Sequence, residues 1–243
     1  MTKSKWSLLL VLGLVLSLFL AACSGDDDKD AKEDDKGTTE ETDDSAKEED
    51  GTGEETAEVE QVFNLANGDT IPTMDSSKAT DTYAFEFLNA TMEGLYRLKD
   101  GEPVEGIATH HDVSDDKLTY TFHLREDAVW SNGEPVTAHD VVYAWRRAVD
   151  PETGSEYGPF MMGGVVKNAT AVNQGDVPVE ELGVSAPDDY TFVVELENPI
   201  PYFTSLTVFG TFLPMNEAFV EEQGDAYATS TDTLLFNGPF TLE

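Results

Sequence analysis

The chain has 243 residues and a formal net charge of −35, from 14 Lys plus Arg against 49 Asp plus Glu. A surface this acidic repels phosphate backbones and argues against nucleic acid as a partner. The single cysteine, Cys23, excludes an intrachain disulfide and any multi-cysteine metal site.

The first 22 residues read as an export signal. Lys3 and Lys5 precede an apolar run from Leu8 to Leu20, and Ala21-Ala22 stand before Cys23. Leu20-Ala21-Ala22-Cys23 resembles a bacterial lipobox, which implies that the chain is cut before Cys23 and the sulfur is acylated. An uncleaved anchor or an ordinary signal are the other readings, although the run is short of the ~20 residues a spanning helix needs. Residues 24–60 hold 18 acidic and 4 basic side chains and almost no large apolar ones, so burial cannot offset their ordering entropy. They read as a disordered tether with a coil span of roughly 30–35 Å. Asp26, Asp28 and Asp30 open like a calcium loop, but Ala31 and Gly37 stand where its turn glycine and bidentate Glu belong.

The folded part starts near Gln61. Residues 61–66 (QVFNLA) read as a strand, followed by a turn at Asn67-Gly68-Asp69. Tyr83, Phe87, Leu88 and Met92 have helical spacing that ends at Gly94. Leu118, Tyr120, Phe122 and Leu124 alternate with polar residues, which predicts a half-buried strand. Ser131 to Pro135 is a turn. Thr137 and Asp140 form a capping-box start in which the Thr137 hydroxyl can accept a free backbone N–H. Val141, Trp145, Ala148 and Val149 make that helix's buried stripe, and Asp150-Pro151 stops it. Tyr190, Phe192, Val194 and Leu196 mark another strand, and Asn216 opens a short helix towards Gly224. Intermixed strands and helices predict a mixed α/β (α+β) fold.

No catalytic constellation assembles. The nucleophile elbow and the His-Glu-x-x-His pair are missing, so a non-catalytic protein without cofactor or bound metal is expected. The histidines are His110, His111, His123 and His139; adjacent His110 and His111 would point to opposite faces of a strand, and no two have His-x-x-x-His spacing. His123 falls on the polar face of its strand. Trp130 and Trp145 are expected in the core. Tyr157, between Gly154 and Gly158 in a predicted loop, is a better candidate for ligand contact.

Several blocks taken together resemble a known family. They include Glu93 to Tyr96, Leu118 to Arg125, Trp130 to Arg147, Asp150 to Thr153, Pro199 to Phe203, and Asn237 to Phe240. In these the chain resembles the bacterial extracellular solute-binding proteins of family 5, the two-lobed oligopeptide receptors of ABC importers. The resemblance implies that residues 61–92 and 217–243 belong to a first ligand-binding lobe and residues 93–216 to the extra domain of peptide-binding members. A second lobe would follow Glu243, so the chain is expected to be the N-terminal portion of a receptor. By position, Lys78, Ala79, Thr80, Asp81 and Thr82 match the stretch whose backbone lines the peptide, and Tyr157 a tyrosine that reaches it. Relatives usually read Leu-Asp-Pro at Met74-Asp75-Ser76 and Ser-Pro-Tyr at Ser155-Glu156-Tyr157. The implied partners are short peptides, the importer's permease and ATPase subunits, and the membrane through the lipid on Cys23; a monomer is expected. Other readings keep the fold with a different solute (dipeptide, nickel chelate, pheromone), or make the chain an extracytoplasmic hydrolase or chaperone.

Overall fold

Alternation of apolar and polar residues gives a strand one buried face, and that face needs a cover. In a computed structural model, which describes residues 61–66 and 68–243, the cover is a helix. The signal (1–22), Cys23, the tether, its calcium-like aspartates and Asn67 lie outside the described residues.

A four-stranded antiparallel sheet has the order β3-β4-β6-β5, with β3 at Ala108–Val113, β4 at Thr119–Leu124, β5 at Val184–Asp188 and β6 at Thr191–Glu195. Tyr120, Phe122 and Leu124 of β4 and Phe192 and Val194 of β6 are buried, while Thr119, Thr121 and His123 face outward, as the alternation predicts. A separate hairpin pairs β1 (Tyr96–Lys99) with β2 (Glu102–Glu105). Its two-residue turn, Asp100-Gly101, has φ of 54° and 86°, the left-handed geometry that matches strand twist.

Six α-helices are described: α1 (Thr82–Thr91), α2 (Ala138–Val149), α3 (Tyr157–Met162), α4 (Ala169–Asn173), α5 (Phe203–Leu206) and α6 (Glu217–Gln223). The expected stripe of α2 is fully buried, and Asp150 caps its end. Trp145 packs edge-on to Phe192 and Phe212, with centroids 4.9 and 4.8 Å away, and its indole N–H donates to the Phe212 carbonyl at 3.1 Å. Both Trp130 and Trp145 are core residues.

One local expectation needs correction here. Residues 61–66 are not a strand: Val62, Phe63 and Leu65 are 61%, 74% and 55% exposed. A strand exists only with a ladder partner, and among the described residues none runs beside this segment. The start of α2 is the expected capping box: the Thr137 side chain receives the Asp140 backbone N–H, and the Asp140 side chain receives that of Thr137. The Thr137 hydroxyl donates to the Asp140 carboxylate at 3.0 Å, and the Thr137 backbone N–H donates to the same oxygen at 2.7 Å. The Trp130 indole N–H adds a third donor at 3.4 Å.

Burial pushes the Asp140 carboxyl above its ordinary value of 3.8, and the Thr137 and Trp130 donors oppose this only partly. A raised folded-state pKa means that the native state holds the proton more tightly than the unfolded chain. This group's contribution therefore falls as pH rises from about 4 through the folded pKa. Asp140→Asn keeps an accepting oxygen without the buried charge. It is expected to match or slightly exceed the parent at pH 7 and to flatten the pH profile of urea midpoints in that window. Asp140→Ala, which orphans the donors, should cost about 0.5–2 kcal/mol. Equal losses in both variants would show that the charge itself is required.

Candidate functional site

The residues expected to meet a ligand sit at the start of α1. Upstream of it, the backbone turns tightly at Asp75, whose carbonyl accepts from the Lys78 and Ala79 amides at 2.9 and 2.8 Å. The Asp75 side chain holds the same turn, accepting the Ser77 amide at 3.0 Å. Arg147 of α2 then grips both Asp75 carboxylate oxygens, each at 2.8 Å, with side-chain exposures of 16% and 4% for the pair. Ser77 is tied down as well, its hydroxyl donating to Met215 Sδ at 3.4 Å. The turn is therefore fixed from beneath, with Asp75, Ser76, Ser77 and Ala79 buried and Lys78, Thr80 and Thr82 exposed.

After the turn the chain has unused hydrogen-bonding capacity. The amides of Thr80 and Asp81 and the carbonyls of Lys78, Ala79 and Thr80 find no partner among the described residues. Asp81 caps α1 by accepting the Ala84 amide at 2.9 Å through Oδ1, whereas its Oδ2 is buried without a partner. Backbone groups are obligatory hydrogen-bonders, so a run of unpaired ones must meet water or another chain.

Tyr157 lies close by, but not in a loop. It is the first residue of α3, because Gly158 brings the backbone against α2: a Cβ at Gly158 would sit 1.7 Å from the Ala148 carbonyl oxygen. The Tyr157 ring packs edge-on to Phe85 of α1 at 5.8 Å and to Phe209 at 5.0 Å. Phe85 is one helical turn from Thr82, so the structure joins the 78–82 segment and Tyr157 through one aromatic cluster. Phe209, at 4.8 Å from Phe85, and Phe160, 76% exposed and 6.2 Å from Tyr157, complete it. Sequence reasoning missed these three phenylalanines. Phe85 carried a faint signal, at i+3 from Thr82; Phe160 and Phe209 carried none.

The histidines divide as expected for neighbours on a strand. His111 turns inward, its Nδ1 2.7 Å from the Tyr96 hydroxyl, and burial pushes its pKa down. His110 and His123 lie outward, and a shallow hollow of about 720 Å³ beside them is lined by Tyr96, Arg97, Val104 and His110 among others.

The model of the bacterial extracellular solute-binding proteins, family 5 (middle part), matches residues 102–243. The oligopeptide-binding protein OppA of Bacillus subtilis is 35% identical over 99% of this chain and 40% of its own length. The periplasmic oligopeptide-binding protein OppA of Escherichia coli is 38% identical over 73% of this chain and 32% of its own. Among solved structures, Listeria monocytogenes OppA bound to peptide superposes with a TM-score of 0.73 at 49% identity, covering 76% of this chain and 36% of that one. The substrate-binding domain of an oligopeptide ABC transporter from Bacillus anthracis gives 0.72 at 51% identity, covering 74% and 35%. The chain thus spans 40% or less of the length of these relatives, and its mixed α/β fold is theirs over the shared part. With more than half of its residues under the family model, the chain belongs to the bacterial extracellular solute-binding proteins of family 5.

Proposed function

We propose that this chain is part of a receptor that captures short peptides and delivers them to an ABC importer without altering them. The observation that carries the reading is the unpaired backbone of residues 78–81, set beside the exposed edge of an aromatic cluster. An extended peptide offers the complementary row of N–H and C=O groups, and main-chain pairing gives affinity that does not depend on sequence. The buried Asp81 Oδ2 accepts one donor more, and Tyr157 with Phe160 gives a side chain an apolar surface to rest on. Two of the similar proteins support it, one named an oligopeptide-binding protein and one solved with peptide bound.

In this reading Lys78, Ala79, Thr80, Asp81, Thr82 and Tyr157 meet the ligand. Residues 61–92 and 217–243 contribute to a ligand-binding lobe, and residues 93–216 form the extra domain. Cys23 carries the lipid and residues 24–60 the tether, which would hold a monomeric receptor near its permease and ATPase. Closure over the ligand gives the transport signal.

Native mass spectrometry of the full-length gene product, purified under mild conditions, tests this. The expected spectrum shows a ladder of added masses that fragment into short peptides, and the ladder weakens in Tyr157→Ala. An unchanged apo mass in the presence of a mixed peptide pool would sink the peptide reading.

A further inference from the structure

The outer face of the sheet carries a second constellation, sharing no residue with the peptide-contact set. His110 and Asp112 of β3 and His123 of β4 each offer one ligand atom there, and these atoms all lie within 4.8 Å of one another. A β-bulge puts them together. Ala108 pairs with Leu124 and His110 with His123, so Thr109 is an extra residue on β3. In an unbroken register Thr109 would stand opposite His123, and His110 would turn to the buried face with Phe122. The bulge instead sets the two imidazoles side by side, with centroids 4.3 Å apart and planes within 11°. Two residues on, Asp112 falls on the same face, its Oδ2 3.0 Å from His123 Nε2.

The bulged residue also fixes a tautomer. The Thr109 hydroxyl has one proton and donates it to the His123 carbonyl at 3.1 Å. Its 2.9 Å contact with His110 Nδ1 must then be one in which Nδ1–H donates. That leaves the lone pair of His110 on Nε2, free to bind, with the other ring nitrogen anchored as metal-ligating histidines usually are. The row continues across the sheet: His123 pairs with Thr191, and Thr191 with Asp188.

We propose that His110, Asp112 and His123 bind one divalent transition-metal ion of the zinc or copper class. Two imidazoles and a carboxylate suit such ions better than calcium or magnesium, and three protein ligands leave a position open for water. Bonds of about 2.0–2.1 Å in a tetrahedron set ligand atoms about 3.3 Å apart. Asp112 and His123 already stand near that spacing, and the ligand atom of the exposed His110 lies within 4.8 Å of both.

The test is a Cu²⁺ titration of the full-length protein followed by electron paramagnetic resonance, in excess Ca²⁺ and Mg²⁺ to occupy the many carboxylates. One equivalent should bind with hyperfine structure from two nitrogens. His110→Ala and His123→Ala should each leave one nitrogen and weaken binding about 100-fold, the upper end of the loss known for even an outer partner. Asp112→Asn should weaken binding about tenfold and keep both nitrogens. His139→Ala serves as the control, because His139 pairs with Asp189 and offers no ligand atom to the cluster, and should change nothing. Unchanged spectra in His110→Ala or His123→Ala, or oxygen-only binding that Ca²⁺ displaces, would overturn the assignment whatever the peptide experiment shows.

Discussion

Trp145→Ala is expected to destabilise the protein by about 3–5 kcal/mol, the usual cost of emptying a fully buried indole. Two separable effects underlie that figure. The ring is the point at which α2 meets the sheet, touching Phe192 and Phe212 edge-on. Its N–H also satisfies the Phe212 carbonyl, which alanine would leave unpaired in the core. Trp145→Phe isolates the second effect, since it keeps an aromatic ring and loses the donor; it should cost about 1–3 kcal/mol. Urea midpoints with unchanged slope would report both values. If Phe proves as harmful as Ala, the carbonyl and not the packing holds α2 in place, and the account of the core given above fails.

Trp145 also illustrates how much the sequence discloses. Periodicity located α2, β4 and β6 because each has one apolar face against one core, and that pattern survives in the one-dimensional string, whereas α6 was legible from Asn216 at its start. Where the pattern is absent, reading failed. The β1–β2 hairpin has mostly exposed side chains, so its only mark is the Asp100-Gly101 turn, a signal that was present and passed over. Residues 61–66 show the reverse error, since strand-like composition cannot supply a partner strand.

The candidate sites divide in the same way. The 78–82 segment came only from resemblance, because unpaired backbone leaves no residue-type signature. Tyr157 was singled out for the glycines around it, but Gly158 marks close helix packing and not a loop. Asp75 was named only as the middle residue of Met74-Asp75-Ser76, a block that departs from the family's Leu-Asp-Pro on either side of it, and its partner Arg147 lies 72 residues away, a pairing no local rule could find. The His110, Asp112 and His123 cluster depends on a one-residue bulge, which alternation alone cannot foresee.

Arg147→Ala should be comparably damaging, at about 3–5 kcal/mol, because it strands a carboxylate that is 4% exposed. Its effect should be more local than that of Trp145→Ala. The Arg147–Asp75 pair is the clamp beneath the turn that presents residues 78–81, and Arg147 also lies 5.8 Å from the centroid of Tyr227, whose hydroxyl burial holds well above its ordinary pKa. Hydrogen exchange should therefore quicken first at residues 76–81, before global unfolding is reached. A second variant separates charge from scaffold. Replacing both partners with apolar residues of similar volume, Asp75→Leu with Arg147→Met, removes the stranded charge and should recover most of the lost stability. It should not recover slow exchange at the turn, because Asp75 Oδ1 also accepts the Ser77 amide and leucine cannot. Peptide binding should follow the exchange and not the stability: weak in both variants, although only one of them is unstable. A loss below about 1 kcal/mol in Arg147→Ala would put the pair in the class of exposed ion pairs. Full peptide binding in the stable double variant would mean that residues 78–81 present their backbone without the clamp.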